Sequence, residues 1–296
     1  MFEGVPAATA ASVAASLQER KSSHPFDQAL ALQPLGAHAP DAFAGSSSAA
    51  YWNMVGPFGG TTAAIAVQAL MQHPARLGEP LSLTVNYAAA VGPGDFQITA
   101  RPVRTNRSTQ HWSIELTQPD ATGAASVFMT ATAVTAVRRS TWGSQDTPIP
   151  AVACPQECAV QTRPGAPAWL DRYELRPVRG PLPQLLDGRG DDSLSQLWLR
   201  DAPPRPLDFP ALTAMADAFY PRVWLRRALR VPAGTVSMTV YFHADTSELS
   251  RSGSGYLLGQ ASAQTFYKGF FDQSAQLWSE AGALLATTQQ IVYYKE

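Results

Sequence analysis

Apolar and polar positions alternate in some segments of this chain and merge in others, and that difference separates its strands from its helices. Leu81 to Tyr87 sets Leu81, Leu83, Val85 and Tyr87 against Ser82, Thr84 and Asn86, the two-residue period of a half-buried strand. Phe96 to Val103, Thr109 to Gln118 and Ser126 to Val137 read as further strands, divided by turns such as Pro119-Asp120-Ala121-Thr122-Gly123. Phe26 to Leu35 also alternates and is expected to be a strand. Thr61 to Gln72 is different: Ala63, Ala64, Ile65, Ala66, Val67, Ala69, Leu70 and Met71 leave almost no polar face. A helix apolar all round sits in a membrane or is wrapped by protein. About twelve residues is too short to span a bilayer, so the strands that follow must wrap it.

The pattern then repeats. Ser82-Leu83-Thr84-Val85-Asn86-Tyr87 returns as Ser237-Met238-Thr239-Val240-Tyr241-Phe242, and the same offset of 155 residues carries Ala131-Thr132 onto Ala286-Thr287. The second copy is expected to hold strands at Trp169 to Val178, Gln196 to Arg200, Thr235 to His243, Tyr256 to Phe266, Phe270 to Trp278 and Leu284 to Tyr294. Asp208 can cap a second apolar helix, with Pro210 tolerated in its first turn and Pro221 ending it near Phe219 or Tyr220. These elements predict an α+β chain of two tandem hotdog domains, each an antiparallel sheet curled round one apolar helix. The division is residues 1–23 as an N-terminal extension, 24–138 as the first domain, 139–165 as a Pro/Ser/Gly-rich linker and 166–296 as the second.

Composition narrows the function. Charged residues are 15 % of the 296 and the net charge is −1, with no basic run to neutralise phosphates, so nucleic acid is not an expected partner. No apolar run approaches a membrane span. Met1 to Leu17 is Ala-rich but lacks a basic start and a continuous apolar core, so it does not read as a secretory signal and a cytoplasmic location is expected. Cys154 and Cys158, with no histidine near, read as a loop disulfide or two idle thiols rather than a metal site. No cofactor is expected: there is no Walker loop, no Gly-x-Gly-x-x-Gly and no His-Glu-x-x-His. The Gly-x-Ser-x-Gly elbow of serine hydrolases is missing too; Ser254 in Gly253-Ser254-Gly255 has the wrong spacing. Exposed sheet edges make a homo-oligomer the expected assembly.

Two polar residues stand out against apolar surroundings. Asp217 is the single acid in the second helical segment, Ala211 to Phe219, where burying an unpaired carboxylate is costly unless hydrogen bonds or a raised pKa compensate. Gln290 shares a strand face with Ala286 and Val292, so it points inward if that face lies on the helix. Each also has a plainer reading, at a solvent edge for Asp217 and on a two-sided strand for Gln290.

At this point the residues resemble a family. Trp52-Asn53-Met54-Val55-Gly56-Pro57-Phe58-Gly59-Gly60, Leu83-Thr84-Val85 and Asn106-Arg107-Ser108 look like the N-terminal hotdog of acyl-CoA thioesterase II-type proteins. Asp217, Thr235 through Phe242-His243, and Gly282-Ala283-Leu284-Leu285-Ala286 leading to Gln290 look like their C-terminal hotdog. The resemblance implies hydrolysis of acyl-CoA to free acid and CoA, with Asp217, Thr235 and Gln290 holding the attacking water. It points to Gly59, Gly60, Asn106 and Ser108 for substrate binding. The family's Asp-His after that Thr is Ser237-Met238 here. Alternation places Thr235 with Ser237 and Thr239, opposite Met238 and Val240, so Thr235 can reach Asp217 only through a bulge or at the strand's frayed start. Subtracting 155 from the three positions gives Thr62, Pro80 and Thr135, which carry neither carboxylate nor amide, so the second copy is expected to hold the chemistry. A double hotdog that binds acyl-CoA or a related ligand without hydrolysing it is the alternative.

Overall fold

The computed structural model describes residues 24–162 and 164–296; the N-terminal extension expected over residues 1–23 lies outside them. Among the described residues five short or medium helices, α1 (Pro25–Ala29), α2 (Gly59–Gln72), α3 (Phe209–Met215), α4 (Arg222–Arg226) and α5 (Thr246–Ser252), accompany thirteen strands. The first half supplies β1 (Gln33–Pro34), β2 (Ala42–Ser46), β3 (Glu79–Tyr87), β4 (Asp95–Thr105), β5 (Thr109–Pro119) and β6 (Ala125–Ala136). The second supplies β7 (Tyr173–Arg179), β8 (Ser195–Asp201), β9 (Ala233–Phe242), β10 (Leu257–Ser262), β11 (Phe266–Tyr267), β12 (Phe270–Ser279) and β13 (Leu284–Tyr294).

All strands join one antiparallel sheet in the order β1-β2-β4-β5-β6-β3-β9-β13-β12-β10-β8-β7, with β11 against β12. The two halves meet where β3 pairs with β9. Thr84 stands opposite Thr239, Leu83 opposite Val240 and Val85 opposite Met238. Thr84 and Thr239 are 155 residues apart in sequence, and their hydroxyls lie 3.0 Å from each other. A residue therefore faces its own duplicate, and the local two-fold axis between the halves passes through this pair.

The inner side of the sheet carries α2 and α3. Ten of the fourteen residues of α2 are buried, from Gly60 to Leu70, and so is every residue of α3, as the all-round apolar pattern requires. The two helices touch at Gly60, where a Cβ would stand 2.5 Å from the Ala214 carbonyl. Only a glycine permits that approach.

Three expectations are corrected. Phe26 to Leu35 opens with helix α1, not a strand: the His24 imidazole accepts from the Phe26 amide at 3.1 Å, Pro25 starts the helix, and Phe26, Ala29 and Leu30 bury at helical spacing. Local capping outweighed a short alternation. The second apolar helix ends at Met215, well before Pro221, because Asp217 and Ala218 bond back only three residues, to Ala214 and Met215. The strand expected from Trp169 starts only at Tyr173, because Ala168–Arg172 is a 3-10 turn that precedes β7. The described residues of the 139–165 segment form no strand; Ile149 and Val152 pack against Trp198, Tyr256 and Leu258, and the Trp198 indole donates to Ala153 O at 2.8 Å. Cys154 and Cys158 are free thiols.

The edge-sharing bulges matter for the site. Between Pro80 and Ser82 the register against β6 slips by one residue, which leaves Leu81 38 % exposed. The same slip recurs 155 residues later, where Thr235 pairs with Val292 and Ser237 with Ile291, leaving Val236 outside the count and 38 % exposed. A bulge puts two residues opposite one and re-aims the side chains beyond it. Here it turns Thr235 inward.

Candidate active site

Asp217 sits on the tight turn after α3, where the three-residue bonds swing it over the N-terminus of α2. The Gly60 backbone amide donates to its carboxylate. A Cβ on Gly59 would stand 2.8 Å from Asp217 Oδ2 and 3.5 Å from the Tyr87 hydroxyl, so the glycine pair is what lets the carboxylate reach the helix end. Gln290, 4 % exposed on the inner face of β13, donates from Nε2 to Asp217 Oδ1 at 2.9 Å. Its amide also contacts Met238 Sδ at 3.4 Å. Thr235, turned inward by the bulge, donates from Oγ1 to Gln290 Oε1 at 3.1 Å. Asp217, Gln290 and Thr235 thus form one hydrogen-bonded chain, drawn from a turn and two neighbouring strands.

Burial dominates the electrostatics. Asp217 keeps slight contact with solvent, but desolvation lifts its pKa from 3.8 to about 7, while the bonds from Gln290 and Gly60 pull the other way. The carboxylate at the positive end of α2 is favourably placed, yet not enough to offset burial. Tyr87 donates to Gly59 O at 2.9 Å, and burial together with Asp217 raises its pKa well above the ordinary phenol value. It stays a neutral donor that pins the first turn of α2. Sequence reasoning placed Tyr87 on the inward face of its strand and gave it no role; the signal was its position two residues beyond Val85.

Asn106 and Ser108 lie elsewhere. They occupy the β4–β5 hairpin, where Asn106 Nδ2 donates to Thr109 Oγ1 at 3.1 Å and Ser108 O accepts from Val137 N at 2.9 Å. Thr109 is level with Ala136 and Glu79, whereas the site is at the Tyr87 end of β3, eight residues or about 26 Å along the strand. His243 is at the far end of β9 from Thr235, with its Nε2 3.0 Å from the Thr287 hydroxyl, which fits a rim residue and not a base.

The duplicate positions need a corrected register. In β6, Thr132 faces Thr84; in β13, Gln289 faces Thr239, so an offset of 157 relates these strands. The counterpart of Gln290 is Ala133, which faces Leu83 as Gln290 faces Met238. Counted from the helix N-caps, Phe58 and Asp208, Asp217 matches Val67 and not Thr62. Loop length differs between the copies, so one constant does not serve every element. Val67, Pro80 and Ala133 again supply neither acid nor amide, and the constellation exists in one copy.

A sheet folded over two central helices, with a polar chain buried at their junction, defines a double-hotdog protein of the thioesterase class. The chain belongs to the acyl-CoA thioesterase family: residues 48–136 match its N-terminal domain and residues 153–294 its C-terminal domain. It is similar to a hotdog-fold protein of unknown function from Alicyclobacillus acidocaldarius, at 45 % identity over 93 % of this chain and 99 % of that one, with a TM-score of 0.85. The fold is also that of an acyl-CoA thioesterase II (TesB2) from Mycobacterium marinum, at 16 % identity, 91 % and 98 % coverage and a TM-score of 0.72. A tesB protein from Mycobacterium avium gives 15 %, 93 % and 100 %, and 0.71. No curated protein matches the chain at a significant level. No helix among the described residues is long and apolar enough to cross a membrane.

Proposed function

We propose that this protein hydrolyses acyl-CoA thioesters to the free acid and CoA, with water activated at Asp217, Thr235 and Gln290. The observation that carries the reading is the hydrogen-bonded chain Thr235–Gln290–Asp217, ending on a carboxylate whose pKa is lifted to about 7. A base with that pKa is half ionised near neutrality and still basic enough to take a proton from water as the water attacks. Gln290 and Thr235 fix the carboxylate and the water between them, which supplies orientation. The N-terminal turn of α2, opened by Gly59 and Gly60, offers the Gly59 backbone amide and the helix dipole to the oxyanion that forms on the thioester carbonyl. As the C–S bond breaks, the proton held by Asp217 passes to the thiolate. Asn106 and Ser108 stand too far along the sheet to touch the reacting atoms; a role for them in binding acyl-CoA would be through its distal part. The same reading takes the protein as cytoplasmic and as a homo-oligomer, the latter supported by a sheet that ends in the edge strands β1 and β7.

The test is release of free thiol from acyl-CoA of graded chain length by wild type and Asp217→Asn. Turnover by wild type that the substitution lowers by two or more orders of magnitude supports the reading. Full turnover by the variant refutes the site. Binding of acyl-CoA without turnover on any length makes the protein a ligand-binding double hotdog.

A further inference from the structure

We propose that a buried polar chamber behind the active site, built by Tyr51, Tyr173 and Asp201, holds ordered water that carries a proton between Asp217 and solvent. The inference rests on the hydrolytic function proposed above. Six of the nine buried side-chain polar atoms without a partner among the described residues fall in this one place: Asp27 Oδ2, Tyr51 Oη, Arg172 Nε, Tyr173 Oη and both oxygens of Asp201. Tyr51 is fully buried, Asp201 is 2 % exposed and Tyr173 5 %. Tyr173 and Asp201 face each other across β7 and β8, and the Tyr51 and Tyr173 rings meet edge to face at 6.4 Å. Native structures do not leave so many polar atoms unpaired in one spot, since together they would cost as much as the net stability of a domain. A polar site with several such groups converging is where buried water is held.

The chamber abuts the active site. The Tyr173 ring packs edge-on against Phe58 at 6.2 Å, and Phe58 is the N-cap residue from which Gly59 and Gly60 lead to Asp217. The charges of both Asp201 and Asp217 reach the Tyr173 hydroxyl and, with burial, hold it well above the ordinary phenol pKa, so it stays neutral and passes protons as a hydroxyl. Asp201 itself is raised to about 7, chiefly by burial, with Asp208 and Asp27 adding to the shift and Arg205 opposing it. Burial thus raises both Asp201 and Asp217 well above the ordinary carboxylate range, so each can carry a proton at neutral pH. Outward from Asp201 stand Asp27 and Asp208, both partly exposed and both bonded to Arg205, at 2.7 and 2.5 Å. Arg172 borders the same space.

The reaction needs such an exit. Hydrolysis breaks the C–S bond, forms a C–O bond and splits water. One proton ends on the CoA thiol by way of Asp217, which is then ionised again; the other leaves the product acid, is taken up by the Asp217 carboxylate and must pass from there to solvent. Each turnover thus releases one proton at a carboxylate that keeps only slight contact with solvent. Asp201 and Tyr173 would act through Asp217 as positioning and relay groups, not on the substrate.

Tyr173→Phe, which keeps the ring and its packing, and Asp201→Asn test this. The expected result is a kcat about tenfold lower at unchanged KM, restored by imidazole buffer, with a larger solvent isotope effect than wild type. A merely structural role moves melting temperature and is not rescued by buffer. Unchanged kcat in Tyr173→Phe, or a loss that imidazole does not restore, overturns the proposal. A high-resolution crystal structure is expected to show waters bonded to Asp201 and Tyr173; a dry chamber overturns it as well. No turnover by wild type refutes the proposed function instead, and the crystal waters then decide whether the chamber exists.

Discussion

Asp217→Asn should make the protein more stable while removing its activity, and the gain should depend on pH in a defined way. The Asp217 carboxyl titrates at 3.8 when exposed and at about 7 in the fold. Between those values the native state keeps a proton that the unfolded chain has released, so wild-type stability falls as pH rises through the window. Below about pH 3.8 both states are protonated and there is no penalty; above about 7 both are ionised and the penalty is constant. A shift of about three units at about 1.36 kcal/mol each gives about 4 kcal/mol, an upper value because the residue keeps some solvent contact. Asparagine stays neutral throughout, and its one carbonyl oxygen can still accept from the Gln290 amide. At about 2 °C per kcal/mol for a chain of this size, the variant should melt up to about 8 °C above wild type at pH 8, with the difference vanishing near pH 4. Calorimetry across pH 4–9 measures it. Asp201 also titrates near 7, but it is common to both proteins and drops out of the comparison. Melting curves that run parallel across the range would show that Asp217 is not held neutral by burial and would remove the basis of its assignment as base.

Other substitutions separate the parts of the site. With Asp217 as the proposed base, which acts only when ionised, the hydrolysis rate should rise about tenfold per pH unit below about pH 7 and level off above; a profile flat from pH 5 to 8 contradicts this. Gln290→Ala removes the donor to Asp217 and should lower kcat about a hundredfold, and Thr235→Val, one step further from the carboxylate, about tenfold, both read as thiol release. Gly60→Ala drives a methyl into the Ala214 carbonyl and the Phe58 ring and should cost about 1–3 kcal/mol or more in denaturant titration. Gly59→Ala meets chiefly Asp217 and should lose activity with little change in melting temperature. Arg222 is fully buried without an acidic partner among the described residues and donates to carbonyls of Ser193, Tyr220 and Ala261; burial lowers its pKa to about 9. Arg222→Met strands those carbonyls and should destabilise by about 3 kcal/mol or more by the same titration.

The fold was legible where alternation ran long. Leu284 to Tyr294 is a strand over its full expected length, and the inward parity of Gln290 followed from counting along it. The wrapped helix was legible because nothing but burial explains Ala63 to Leu70. The sequence misled where a local bond outweighed periodicity, as at His24 and Pro25, and where a tight turn replaced a helix, as at Asp217. The Thr235 problem was visible as a parity conflict, which the bulge at Val236 resolves. What no one-dimensional pattern could reveal is convergence between distant segments. Tyr87 feels the charge of Asp217 only because α2 and α3 meet at Gly60, and Tyr51, Tyr173 and Asp201 come from both halves of the chain. Each is unremarkable in its own neighbourhood.

The Thr84–Thr239 pair sets a limit on how this chain can be divided. Cutting the linker would not yield two independent proteins, because each half would carry a raw central strand, β3 or β9, with its hydrogen-bonding edge uncovered. Each edge is shaped to receive a near-copy of itself in antiparallel register, so the halves would re-pair with each other or with their own kind. A dimer of first halves would have the glycine-opened helix end twice and no carboxylate to face it. A dimer of second halves would have Asp217 twice, facing the Phe209-Pro210 start of α3 in place of Gly59-Gly60. Fusion of the two copies is thus what makes the asymmetric site possible: covalent linkage guarantees that unlike partners meet, at one acid to one glycine pair, in every molecule.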